Sequence, residues 1–337
     1  MSPRRKQPPQ LSLFGASEPP PQPLAPAALA TAAMAARLPA TLRLGTSSWT
    51  FPGWQGLVWA DRLSEARLGS EGLSIYGSHP LLRTVGIDRT FYAPVQADVF
   101  AGYAAQVPAE FRFLVKAHEA CTLARFPRHA RYGAQRGEAN DRFLDPAWAT
   151  DVVVAPAVEG LGAKLGPILF QLPPQAPSSL GAFAERLHGF LAALPKGPLY
   201  AVELRNGALL TPPYLAALAD VGAVHCLNVH AGMVPLAEQL RRFDPLRGPA
   251  VVVRWMLRDG LDYEGAVARY RPFSALVDED PANRELIAQL ALDAALRGLP
   301  TFVIINNKAE GSAPLSAAAL AARIAALGGP LYSGGQR

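Results

Sequence analysis

The sequence is short of cysteine, short of charge and without a long apolar run. Its two cysteines, Cys121 and Cys226, form no spacing motif. A disulfide scaffold is therefore excluded, and a reducing cytoplasm is the expected home. No window approaches the roughly 18 consecutive apolar residues of a membrane-crossing helix, so no membrane partner is expected. The opening Arg4, Arg5 and Lys6 run into prolines and glutamines rather than an apolar segment, which argues against a secretory leader. No Gly-rich dinucleotide or Walker loop follows any apolar run, and no HxH or HExxH pair is present. These absences leave at most one divalent metal as a cofactor.

The net charge is +5 over 337 residues. Residues 1–40 hold Arg4, Arg5, Lys6 and Arg37 against Glu18, a net of +3, which leaves only +2 for the body. A body so close to neutral does not argue for nucleic acid by itself; local patches must carry any such case.

Residues 1–40 are rich in Pro, Ala and Gln and lack periodicity, so they are expected to be a disordered tail. From residue 41 to 337 the character changes. Eight short apolar runs each end in polar residues: LRLGTSSW, TVGIDRTF, RFLVKAH, GPILFQLP, LYAVELR, VHCLNVH, VVVRWML and TFVIINN. Their composition suits strands buried on both faces of a parallel sheet. Helical patterns lie between them. Pro94 can open a helix with Val95, Val99 and Tyr103 on one face. Leu180, Phe183, Leu187 and Leu194 precede the fifth run, and Leu286, Ile287, Leu290 and Ala294 precede the eighth. Eight strands alternating with helices predict an α/β fold, a (β/α)8 TIM-like barrel, with a doubly wound open sheet as the competing arrangement.

In such a barrel the working residues project from the C-terminal strand ends. Those ends place Lys116 and His118 two apart on one face, and likewise Glu203 and Arg205. Glu203 is a candidate acid/base or ligand, and Arg205 a candidate anion clamp; a buried ion pair bridging barrel layers is the alternative. His118 and His230 are further catalytic candidates, as is Lys116. The loop from residue 119 to 165 is long for such a connection. Between Leu123 and Gly137 it carries Arg125, Arg128, Arg131 and Arg136 with Phe126 and Tyr132 interleaved, and no acid. It is either a solvated loop or a lid that contacts phosphates. Trp49, Phe51, Trp54 and Trp59 crowd the loop after the first run. Core packing explains some of them; Trp49 or Trp54 is a candidate platform for a sugar or base.

The blocks "GTSSW", "TFYAPV", "FRFLVKA", "LGPILFQLPP", "AVELR" and "NNKAEGSAP" occur in that order. They resemble the YecE-like proteins, the family of domain of unknown function 72, over about residues 42–330. The resemblance implies a TIM-like barrel similar in shape to the xylose isomerase and endonuclease IV barrels. It implies no settled activity. It carries over Trp49, Tyr92, Lys116, Gln171, Glu203, Arg205, Arg254, Asn306 and Asn307 as site candidates. The chain departs from the family where "TVGIDRTFY" has Gly86 in place of a usual Glu, and where "RWML" replaces "RLHG" and lacks its His. The ligand set of an endonuclease IV is also missing.

One stretch of the tail stands apart. "QLSLF", from Gln10 to Phe14, resembles the short peptide by which bacterial DNA polymerases and repair proteins dock on the sliding clamp. Leu13 and Phe14 would fill an apolar pocket, Gln10 would hydrogen-bond and Leu11 would add a lesser contact. Three readings stay open. The chain is a DNA-associated enzyme, a hydrolase or lyase, acting on a phosphate-bearing nucleotide or sugar and tethered to the clamp. Or it is a small-molecule isomerase, lyase or hydrolase for an anionic sugar. Or it is a non-catalytic adaptor.

Overall fold

The structure is a computed structural model that describes residues 24–174 and 179–328. The tail motif Gln10, Leu11, Leu13 and Phe14 lies outside the described residues. The strands are β1 Leu42–Thr46, β2 Leu82–Ile87, β3 Arg112–Lys116, β4 Leu165–Leu172, β5 Tyr200–Leu204, β6 Val224–His225, β7 Leu227–Val229, β8 Val251–Trp255 and β9 Thr301–Ile305. All pair in parallel, in the order β6-β5-β4-β3-β2-β1-β9-β8-β7. β6 and β7 are the two halves of one apolar run broken at Cys226. That run leaves β5 on one side and meets β8 on the other, so the sheet curls into a TIM-like barrel of eight runs.

The surrounding helices are α1 Pro26–Leu29, α2 Ala32–Ala35, α3 Glu65–Gly77, α4 Ala97–Ala105, α5 Pro146–Ala149, α6 Ala155–Leu161, α7 Leu180–Ala193, α8 Pro212–Val221, α9 Leu236–Arg242, α10 Tyr263–Tyr270, α11 Pro281–Leu296 and α12 Ala313–Gly328. Several of them start on side-chain caps. Ser64, Ser179, Thr211, Asp262 and Asp280 each accept a backbone N–H of the first turn.

Three boundaries differ from the sequence expectation. Residues 24–38 are folded rather than part of a disordered tail. Ala25, Ala28 and Ala35 are buried, and Arg37 donates to the Ala325 carbonyl at 2.9 Å. Alanine reads as low-complexity filler in a composition, yet its small side chain lets a short helix lie close to a neighbour. The expected insertion at 119–165 shrinks to residues 119–145, because α5 and α6 form the helical layer before β4. Proline hid this helix. Pro146 sits in the first turn of α5, and a π-turn at Thr150–Val154 precedes Pro156, which has no N–H to donate. Gly160 lets α6 cross α4 closely, since a Cβ there would lie 2.2 Å from the Ala97 carbonyl oxygen. Finally, α4 begins three residues after Pro94, behind Gln96.

Candidate functional site at the mouth of the barrel

The inner face of the barrel follows from strand alternation. Leu114, Leu169, Ala201, Cys226, Val252 and Ile304 pack together with Val224 and Phe302 as a plug inside the barrel, separate from the larger core under the helices. Two residues further along each strand, the same face carries Lys116, Gln171, Glu203, Asn228, Arg254 and Asn306. The same step from Gly45 and Gly86 reaches Ser47 and Asp88. Every run therefore ends in a polar residue above an apolar floor.

Glu203 is the centre of this ring. Its side chain is 0 % exposed and forms ion pairs with both Arg205 and Arg254. Gln171, its register partner on β4, turns Oε1 toward the same two guanidinium groups, at 3.3 Å from Arg205 Nη2 and 3.2 Å from Arg254 Nη1. Burial pushes the Glu203 carboxyl up, but Arg205 and Arg254 together outweigh it and hold the group below its ordinary range. Of the two readings that the Glu203/Arg205 spacing left open, the geometry matches the buried ion pair, with Arg254 as a further member. A carboxylate so held is poorly placed to exchange protons.

Around it stand groups of both signs. Asp88 Oδ1 lies 3.8 Å from Arg254 Nη2. Lys116 is almost fully buried with Nζ 3.6 Å from the centre of the Phe91 ring. Burial draws its ammonium down to about 8, with Asp88 and Glu203 pulling back and Arg254 and Arg205 adding to the depression. Lys308, on the loop after β9, is also drawn down to about 8 by burial, and its Nζ sits 4.3 Å over Tyr263. His230 is half-buried and held down to about 4, by burial first and then by Arg205. Its Nδ1 accepts the Gly232 N–H at 3.2 Å, which leaves Nε2 to carry the proton.

The other candidates divide. Asn306 donates to Ser47 Oγ at 2.8 Å and accepts the Lys308 N–H at 3.0 Å, tying β9 to β1 at the rim. Asn307 accepts from Trp54 Nε1 at 3.0 Å and from the Ala313 N–H at 2.9 Å. Trp54 is thus a core residue that fixes the last loop. Trp49 is buried too, edge-on to Tyr103 at 5.3 Å. Neither offers a platform, since both rings are covered. The exposed aromatics near these charges are Tyr92 and Tyr263.

His118 opens the loop after β3 as a cap: its Nδ1 accepts the Ala120 N–H at 3.1 Å and its ring meets Trp148 edge-on. Arg125 donates to the Gly137 carbonyl, and Arg128 lies along Gly137. Both brace the loop on its exposed side. The arginine that turns toward the mouth is Arg131, paired with Glu119, hydrogen-bonded to Tyr132 and 5.5 Å from the Tyr92 ring. Sequence spacing did not separate it from its neighbours. Asp88 and Lys308 were visible as strand-end residues, but no local pattern marked them.

The "AEGSAP" block has a structural task. Glu310 is fully buried, and its Oε1 accepts from Arg284 Nη2 and from the Asp280 N–H, both at 2.6 Å. It pins the segment before α11 to the loop after β9. Among the described residues, no group of three or more His, Cys, Asp or Glu is placed to hold a metal ion. No helix among them is long and apolar enough to cross a membrane.

Residues 43–332, the barrel almost end to end, match the family described as "Protein of unknown function DUF72". The chain belongs to the DUF72 family. A DUF72 family protein of Enterococcus faecalis is similar in structure, with a TM-score of 0.59 at 17% identity, over 84% of this chain and 95% of that one. A DUF72 family protein of Thermotoga maritima aligns with a TM-score of 0.57 at 18% identity, over 83% of this chain and 97% of that one. At such identity the likeness establishes the DUF72 fold and no chemistry. No curated protein matches the chain.

Proposed function

We propose that the mouth of the barrel binds the phosphate of a nucleotide or sugar-phosphate, and that the protein is a DNA-associated enzyme, a hydrolase or lyase. One observation carries the ligand class. The buried Lys116, Arg205 and Arg254 face the buried Glu203 and the partly exposed Asp88, so cations outnumber carboxylates at the mouth. Arg205 Nε and Arg254 Nε are buried donors without a partner. An oxyanion supplies both the missing charge and the missing acceptors.

In this reading Glu203 is the anchor that fixes two guanidinium groups in a fork. Lys116, partly neutral near pH 8, moves the proton, and Lys308 and Arg131 guide the anion over the rim. The test is turnover and binding on a panel of oligonucleotides: intact duplex, single strand, nicked duplex and abasic duplex. Lys116→Met is expected to lose turnover and to weaken binding as well, since it removes the cation in excess. DNA-dependent turnover that survives both Lys116→Met and Glu203→Gln sinks the mechanism.

The clamp tether rests on the sequence of Gln10–Phe14 alone. A labelled peptide of residues 5–20 is expected to bind the host's sliding clamp at about micromolar affinity, about 8 kcal/mol, and to lose it with Leu13→Ala and Phe14→Ala. No binding removes the tether.

A second reading draws on depth. Glu203 and Arg254 are 0% and 1% exposed, below the rim, where only a small group reaches. A free anionic sugar-phosphate fits that depth without DNA. Affinity for sugar-phosphates with none for any oligonucleotide would favour it.

A further inference from the structure

The opposite end of the barrel carries a second set of cations. Arg43 on β1 and Arg112 on β3 lie at the N-terminal strand ends, on the inward face that reaches Leu114 two residues later along β3. Together with Lys196, Gly166, Pro300 and Phe302 they line a cavity of about 450 Å³. No acidic residue lines it, and neither arginine has a carboxylate within ion-pair distance among the described residues.

The two arginines are held rather than loose. Arg112 Nη1 donates to the Ala109 and Phe111 carbonyls at 2.7 and 2.9 Å, which orients the guanidinium and leaves its other donors free. The Arg43 guanidinium lies 5.5 Å from the centre of the Phe302 ring, and its Nε is buried without a partner. Burial lowers the proton affinity of Arg43, and Arg112 and Arg83 nearby lower it further. Gly166 lets β4 lie close against β3 at the cavity wall, since a Cβ there would meet the Phe113 carbonyl oxygen at 2.7 Å and Phe302 at 3.2 Å. Two partly buried arginines thus share the cavity with an aromatic wall, one of them has an orphaned donor, and no carboxylate among the described residues lines the space.

We propose that this cavity is a binding site for a small oxyanion of the phosphate class, held between Arg43 and Arg112 with Lys196 at its rim. The ligand is inorganic phosphate or the terminal phosphate of a small ester. A carboxylate can reach two guanidinium groups, as Glu203 does, but brings one charge; a tetrahedral, multiply charged oxyanion brings charge and acceptors for both arginines and for Lys196. The site lies across the apolar plug from Glu203, so it does not depend on the reading of the mouth.

Calorimetric titration of the full chain with inorganic phosphate at constant ionic strength tests it. Saturable binding is expected, with sulfate competing and chloride not. Arg43→Gln with Arg112→Gln should weaken it by about tenfold or more. Arg269→Gln, at an exposed arginine on α10 that pairs with Asp278, should leave this binding unchanged. If the double variant does not fold, the exposed Lys196→Gln serves, with an expected loss of about threefold. Ribose 5-phosphate run beside inorganic phosphate tells which source is preferred. No binding by the wild-type chain, or equal binding by the Arg43/Arg112 and Lys196 variants, overturns the proposal.

Discussion

The two ends of the barrel both carry arginine on the inner face, and they treat it differently. At the mouth, Arg205 and Arg254 close on one fully buried carboxylate, which offsets part of their charge from within. At the opposite end, Arg43 and Arg112 face a cavity that no acid among the described residues lines. The contrast separates two uses of charge. A buried pair holds geometry, because removing one partner strands the other in a medium that cannot solvate it. An arginine bonded only to backbone carbonyls, as Arg43 and Arg112 are, keeps its charge uncompensated.

The largest expected effect breaks the mouth. Glu203→Gln leaves two guanidinium groups buried without their counter-charge and should cost about 3–5 kcal/mol of stability, read from the urea midpoint. Loss of less than about 1 kcal/mol would mean the cluster is wetter than described.

Next comes pH. Lys116 has its folded-state pKa drawn down to about 8 from 10.5. Between those values the unfolded chain binds more protons than the folded one, so stability rises with pH in that window. Relative to Lys116→Met, the wild-type chain should gain up to about 3 kcal/mol from pH 8 to pH 10.5. A flat difference would mean that Lys116 titrates as an exposed lysine.

A smaller change probes the rim. Trp54→Phe removes the indole donor to Asn307 while keeping most of the ring, with an expected cost of about 1–2 kcal/mol. Binding at the mouth should weaken with it if Asn307 positions Lys308, and a titration of the variant with sugar-phosphate checks this.

The smallest effect completes the contrast. Arg43→Gln breaks no ion pair and relieves repulsion from Arg112, so stability should stay within about 0.5 kcal/mol of wild type or rise. A loss as large as that of Glu203→Gln would erase the distinction between the two ends.

Much of this was legible along the chain. The eight apolar runs became the barrel, and the polar residues that follow them at the two-residue step became the ring at its mouth. What spacing could not supply was partnership. Glu203 and Arg205 are neighbours on one strand, but Arg254, which completes the cluster, lies 51 residues away. The tryptophans illustrate the same limit. "TSSWTFPGWQGLVW" suits a binding loop as well as a plug, and Trp54 was settled by an acceptor on Asn307, 253 residues on. The helix over 146–161 was hidden by prolines that its capped first turn and its π-turn accommodate.

The sequence by itself determined the barrel, its strand ends and the family, because period-two alternation and apolar runs are local properties of a chain. Only the tertiary structure decided that Glu203 pairs with two guanidinium groups, that Lys116 and Lys308 are amines with lowered proton affinity, and that among the described residues the opposite end holds arginines with no carboxylate in ion-pair reach. Burial and pairing are relations between distant segments, and the free energy of a charge depends on what surrounds it rather than on its place in the sequence.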